Sequence, residues 1–341
     1  MFSLNSLSIP IIQAPMAGGI TTPALVSEVS NAGGLGSFGF AYSAPEKIGN
    51  DLRAAQAQTT GPINANFFLF SDVKLPDSKT IEQAILPLRE FAGDIDFLVP
   101  KPPFYPDLER QLEPIWQLRP AVLSFHFGIP SEAIMQRARA LNIVIGITAT
   151  SPEEGRKIQD SGANFIVAQG IEAGGHRGTF EVEGEDARLS TLDLLTKLVK
   201  TCRIPVVAAG GIMDGRDIRK ALDRGASAVQ MGTAFLCCAE SGASPEYKAL
   251  ILAKTPRPSI FTRGFSGRWA RGIENTFTQH MEGKPTLPFP IQNTLTGALR
   301  QAATLAHNAE HQSLWAGASF YKARPLPARA LMERLRLELE A

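Results

Sequence analysis

Short apolar runs recur along the chain, each closed by glycine or polar residues and followed by a stretch with helical spacing. They fall at residues 9–13, 35–40, 63–68, 121–127, 143–148, 165–169, 205–209 and 228–231. FIVAQ, at 165–169, shows no polar alternation, so it suits a strand covered on both faces, as in a parallel sheet. Strands alternating with helices are the mark of βα units, and eight of them close a barrel. The pattern therefore predicts an α/β fold, a (β/α)8 TIM barrel. Two helices carry clear punctuation. Ser151, Pro152 and Glu154 offer an N-cap, a first-position proline and a capping-box glutamate, with Gly162 as the stop. Asp214 and Gly225 bracket the other.

A faint internal repeat supports equivalent units: DSGANFIVAQG from Asp160 resembles DRGASAVQMG from Asp223. The stretch 72–119 is longer than one connection needs, and is expected to decorate the barrel or reach over its mouth. From about Ser241 the pattern changes to helices and irregular loops, including TRGFSGRWARG and KPTLPFP. The expected division is a barrel over 1–240, completed by about 312–341, and a smaller, mostly helical substrate or lid domain over 241–311.

Charge narrows the partners. Lys and Arg number 34 against 33 Asp and Glu, and no basic block with interleaved aromatics appears, so a nucleic-acid surface is not indicated. No segment is long and apolar enough for a membrane span. The first basic residue is Lys47, which does not suit a signal peptide. Cys202, Cys237 and Cys238 have no CxxC or disulfide spacing, so a reducing cytoplasm is expected. The expected partners are small molecules, with the chain a monomer or homodimer.

The candidate chemistry gathers at strand ends. After the seventh run come Gly210 and Gly211, and the eighth ends in Gln230 and Met231 and is followed by Gly232 and Thr233. Loops in these two positions of a barrel commonly bind phosphate through backbone N–H groups. Neither holds a Walker lysine, so a cofactor with one phosphate fits better than a nucleoside triphosphate. After the first run, Ala14, Pro15, Met16 and Ala17 precede two glycines that let a flat ring approach. Asn66 and Gln169 carry amides that both donate and accept, as a flavin's pyrimidine edge requires.

Within AQGIEAGGHRG, which follows the sixth run, Gly174 and Gly175 thin the backbone before His176. That histidine is the catalytic candidate, able to move a proton near neutrality or to hold an anion when charged. His126, between Phe125 and Phe127, suits either the site or core packing. Three tempting motifs carry less. GLGSFG, at 34–39, matches GxGxxG but lies within a strand run. HNAEH, at 307–311, resembles a metalloprotease pattern without a third ligand, so no metal is expected. Cys237 and Cys238 are expected to pack rather than react.

Taken together, IIQAPMAGGI, SNAGGLGSFGF, INANFF, AQGIEAGGHRG, VVAAGGIMDGRDI, AVQMGTAF and LWAGAS resemble the nitronate monooxygenases, formerly 2-nitropropane dioxygenases, FMN-dependent barrel enzymes. The resemblance covers nearly the whole chain. It implies FMN contacts at Asn66, Gln169, Gly174, Gly211 and residues 230–233, and places His176 on the family's catalytic histidine. It implies that a nitronate, with propionate 3-nitronate the natural candidate, reduces FMN, that O2 reoxidises it, and that a carbonyl compound and nitrite or related products result. His126, Arg177, Trp315 and Ser319 are the candidate substrate contacts, and a basic residue is expected near the substrate carboxylate. FMN-dependent enoyl-acyl-carrier-protein reductases, which use NAD(P)H, share the GGH and phosphate loops and stand as the alternative. A flavin-binding protein without turnover is a third reading.

Overall fold

The computed structural model describes residues 2–253 and 257–341. Eight strands form where the apolar runs predict them: β1 (Ile11–Gln13), β2 (Gly36–Gly39), β3 (Ile63–Phe68), β4 (Val122–His126), β5 (Val144–Ala149), β6 (Phe165–Gln169), β8 (Val206–Ala209) and β9 (Ala228–Met231). All pair in parallel, in the order β1-β9-β8-β6-β5-β4-β3-β2. The last seam closes at a bridge between Ile12 and Leu35, where Gln13 N donates to Leu35 O and Leu35 N to Ile11 O, both at 3.0 Å. The result is a TIM barrel.

Alternate strand positions face opposite ways, and both faces are apolar. One set, including Ile12, Val144, Phe165, Val167 and Val207, packs together; the other, including Ile11, Ile145, Ile147 and Ile166, joins the helices in the main core. Gly36 and Gly39 serve this packing. A Cβ at Gly36 would lie 2.2 Å from Val26 O, and one at Gly39 2.7 Å from Ala17 N. GLGSFG is thus a packed strand, with no helix opening on it.

The helix Pro152–Asp160 is capped by Ser151, whose hydroxyl accepts from Glu154 N. The Glu154 carboxylate differs from the expected box: it accepts from Thr150 N and Oγ1 and from Phe180 N, so it ties the cap to the loop beyond β6. Asp214 caps Gly215–Asp223, and the chain leaves that helix at Gly225 with φ +91°. The last helix, Ala328–Glu340, buries Leu331, Met332 and Leu335 in the barrel's core.

The region after Ser241 is less helical than its sequence suggests. Short helices at Pro245–Ile251, Thr276–His280, Ile291–Leu295 and Gly297–Leu305 accompany a hairpin, β10 (Ser259–Thr262) and β11 (Ala270–Ile273). The hairpin pairs antiparallel with a third strand, β7 (Gly175–His176). The glycine-rich segment after β6 is therefore partly a strand, ordered by a partner from far along the sequence. The excursion at 72–119 contributes the helix Ser78–Phe91, whose Ala84, Ile85 and Leu88 share a second core with Phe265, Phe277, Leu287 and Leu299.

Candidate active site

The carboxyl ends of the barrel strands open into a cavity of about 570 Å³, within the range of roughly 300–1,000 Å³ common for small-molecule and cofactor sites. The loop from Ala14 to Ala17 forms one wall, and Asn66, His126 and Gln169 reach it from β3, β4 and β6. Gly174, Gly175 and His176 follow, then Gly210, Gly211 and the run Gln230 to Thr233. Trp315 and Ser319 complete it from the late segment. Of the catalytic, cofactor and substrate candidates read from the sequence, Arg177 alone lies outside this lining.

Arg177 is directed away by simple geometry. Neighbouring residues of a strand point to opposite faces, so when His176 faces the cavity Arg177 turns from it. Its Nε and Nη2 donate to the two carboxylate oxygens of Asp186 at 2.7 and 2.9 Å. Its Nη1 donates to the carbonyls of Gln169 and Gly170 at 3.1 and 3.0 Å. At 2 % exposure, and tied to Asp186 and to the carbonyls of Gln169 and Gly170, Arg177 holds the loop together outside the cavity.

The same hydrogen bonds fix His176. Its carbonyl accepts from Gln169 Nε2 at 2.9 Å and from His126 Nε2 at 3.2 Å, while Gln169 Oε1 accepts from Gly178 N at 2.8 Å. Because a carbonyl only accepts, His126 carries its proton on Nε2. His126 thus lines the cavity and props the His176 segment at once. On the opposite edge Arg177 N donates to Trp269 O at 2.9 Å, continuing the β7–β11 pairing.

The His176 imidazole is boxed by aromatic rings. Phe289, Trp315, Phe68 and Phe127 have centroids 5.4, 5.5, 6.0 and 6.1 Å away. Burial in this box, then the nearby Arg268 charge, His126 and Arg300, push the imidazole down to about 3, so it is neutral at pH 7. His126 is also pushed down to about 3, by burial and then Arg268. His176 Nε2 meets the hydroxyl of Ser266 at 2.9 Å.

Three residues of weight here went unassigned in the sequence. Ser266 and Arg268 lie in TRGFSGRWARG, conspicuous for its glycines and arginines but without a spacing that places it against His176. Arg300, on the helix Gly297–Leu305, lines the cavity. Among the described residues it is the one ionic side chain in that lining, which holds no Asp, Glu or Lys. Its Nη2 donates to Asn293 O, and its buried Nε has no partner. Burial lowers its pKa from the ordinary arginine value, yet a guanidinium remains charged at neutrality.

The cavity suits a flat, phosphate-bearing ring. Gly18, Gly19 and Gly175 have φ of +81°, +89° and +80°, and a Cβ on any of them would meet nothing within 4 Å. At Gly18 and Gly175, which line the cavity, that is open backbone against which a ring can lie. Gly174 differs: its Cβ would lie 2.6 Å from Gly317 N, so it is needed for the chain's own packing. The Thr233 hydroxyl accepts from Gly317 N at 3.0 Å, bringing the late segment onto the phosphate-type loop. Cys237 and Cys238 are buried, and burial raises their thiols to about 11 and 12. HNAEH ends in a 3₁₀ turn, Ala309–His311, with His307 facing Glu246 at 3.4 Å.

A family model for nitronate monooxygenase matches residues 3–338. The chain belongs to the nitronate monooxygenase family. A nitronate monooxygenase of Pseudomonas aeruginosa is 42% identical over 348 residues, covering 97% of this chain and 96% of its own. A probable nitronate monooxygenase of Bacillus subtilis is 36% identical, covering 92% and 90%. Among solved structures, the nitroalkane oxidase of Streptomyces ansochromogenes superposes with a TM-score of 0.92 at 35% identity, over 99% of this chain and 97% of that one. FabK of Thermotoga maritima gives 0.76 at 25% identity, over 99% and 94%. The family is one of flavin-dependent oxidoreductases, so the chain is an enzyme that oxidises nitronates.

Proposed function

We propose that this enzyme uses FMN and O2 to convert alkyl nitronates, propionate 3-nitronate foremost, to a carbonyl compound with nitrite or nitrate, and so detoxifies them. The observation that carries the reading is the cavity's charge. One arginine and a neutral imidazole face a space without carboxylates, an arrangement suited to an anionic substrate. Arg300 would hold the carboxylate, which a guanidinium can grip with two parallel hydrogen bonds.

The loop Ala14 to Ala17 and the open glycines at 18 and 175 would carry the ring, with the amides of Asn66, Gln169 and Gln230 at its polar edge. Gly210, Gly211, Gly232 and Thr233 would take the phosphate. When bound, the flavin supplies the electron transfer from substrate to oxygen. His176 would act in its neutral form, accepting the α-proton of a nitroalkane that arrives un-ionised. The aromatic rings around it favour the uncharged imidazole. Three free, buried cysteines suit a reducing cytoplasm.

Purified protein should be yellow and should consume O2 with a nitronate in the absence of NAD(P)H. A strict requirement for NAD(P)H, with oxidation driven by an enoyl thioester, would instead favour the reductase reading.

A further inference from the structure

Ser266 is fully buried and sits between the backbone groups of Arg268: its hydroxyl donates to Arg268 O at 3.1 Å and accepts from Arg268 N at 3.3 Å. A hydroxyl has one proton and two lone pairs. With the proton given to the carbonyl and one lone pair taken by the amide, a single lone pair is left. His176 Nε2 occupies it at 2.9 Å. We propose that Ser266 is a positioning residue that places the His176 proton on Nε2 and leaves Nδ1 as the basic nitrogen, a role that rests on the proton-accepting function given to His176 above.

One further observation favours this arrangement over its reverse. If Ser266 gave its proton to His176, the Arg268 carbonyl would lose its hydrogen bond, which among the described residues comes from Ser266 alone. Arg268 is 4 % exposed, and a buried acceptor left unpaired is costly. With the proton on Nε2, Nδ1, which has no hydrogen-bond partner among the described residues, carries the bare lone pair of a ring that lines the cavity.

The bracket itself is held by the Arg268 side chain. Its guanidinium lies 3.8 Å over the Phe127 ring, its Nε donates to Arg177 O at 3.2 Å, and its Nη2 donates to Thr179 Oγ1 at 3.2 Å. The hairpin turn is thereby fastened to the segment just after His176. The segment beyond β6 supplies the imidazole, and the hairpin paired with it decides which nitrogen is the base.

Nitrogen-15 histidine NMR of the protein as purified tests this without turnover. Five histidines contribute, and His176→Asn identifies the relevant resonances by their loss. The expected spectrum has His176 protonated at Nε2. In Ser266→Ala the two nitrogens should move toward an averaged tautomer, and Ser266→Thr should restore the original. Turnover should follow: Ser266→Ala should lose about tenfold with a neutral nitroalkane, the scale of one hydrogen bond, and less with its preformed nitronate. A wild-type His176 protonated at Nδ1 overturns the proposal whatever the substrate, and so does an unchanged tautomer in Ser266→Ala. An Nε2-protonated His176 in a protein that oxidises no nitronate would leave the positioning intact and refute the functional reading instead.

Discussion

His176 and Ser266 stand 90 residues apart in sequence, and the imidazole Nε2 of one lies 2.9 Å from the hydroxyl of the other. The contact joins β7, in the segment that follows the barrel strand β6, to the turn of the β10–β11 hairpin. It makes the surroundings of this imidazole depend on how that hairpin packs against the loop beyond β6.

Replacing His176 by Asn separates the two roles a histidine could have here. A neutral base is needed only when a proton must be removed. Turnover of a neutral nitroalkane should fall by roughly 10²–10⁴-fold, the usual weight of general acid–base catalysis, while a preformed nitronate should lose much less and flavin content should stay the same. Equal losses with both substrates in steady-state kinetics would assign His176 to anion binding.

Arg300 is expected to set the preference for a carboxylate-bearing substrate. Arg300→Met should lower kcat/KM for propionate 3-nitronate by about 10- to 100-fold, as expected for a lost hydrogen bond to a charged group. Ethyl nitronate, which has no carboxylate, should be affected little. Parallel losses on both would show that Arg300 acts on the nitronate head or on the fold.

Acid stability carries a signature of the buried imidazole. Its pKa in the fold is about 3, against about 6.5 in an unfolded chain. The unfolded state therefore binds the proton first as pH falls. The stability held above pH 6.5 should be lost progressively from there toward pH 3. His176→Asn should flatten the slope of unfolding free energy against pH in that window by up to about 1.4 kcal/mol per unit. Identical slopes in urea titrations of the two proteins would mean that the imidazole is not held neutral.

Gly175 combines a φ of +80° with open space at its Cβ position. Gly175→Val should therefore obstruct the cradle as well as strain the strand, and the flavin-to-protein ratio after purification should drop several-fold. Full flavin occupancy with only a lowered Tm would confine Gly175 to a backbone role.

The barrel was legible because its strands are apolar on both faces and end in glycines, a pattern that local sequence carries without help from distant residues. The loop lining was legible for the same reason: residues following successive strands must converge at one end of a barrel. Arg177 misled because adjacency in sequence resembles adjacency in space, whereas on a strand it means opposite faces. SIFT and ARGI, the segments of β10 and β11, are short and stand among glycines, arginines and prolines; they become strands by pairing with each other and, for β11, with β7. Ser266 and Arg300 were illegible for a further reason. Each gains its significance from partners brought close by tertiary packing, and no periodicity records that.

The most direct measurement is anaerobic mixing of the purified protein with propionate 3-nitronate while the visible flavin spectrum is followed. The account predicts rapid bleaching of the oxidised flavin band without NAD(P)H, with colour and nitrite both appearing when O2 is admitted. A spectrum that the nitronate leaves unchanged, while NAD(P)H bleaches it, would contradict the account.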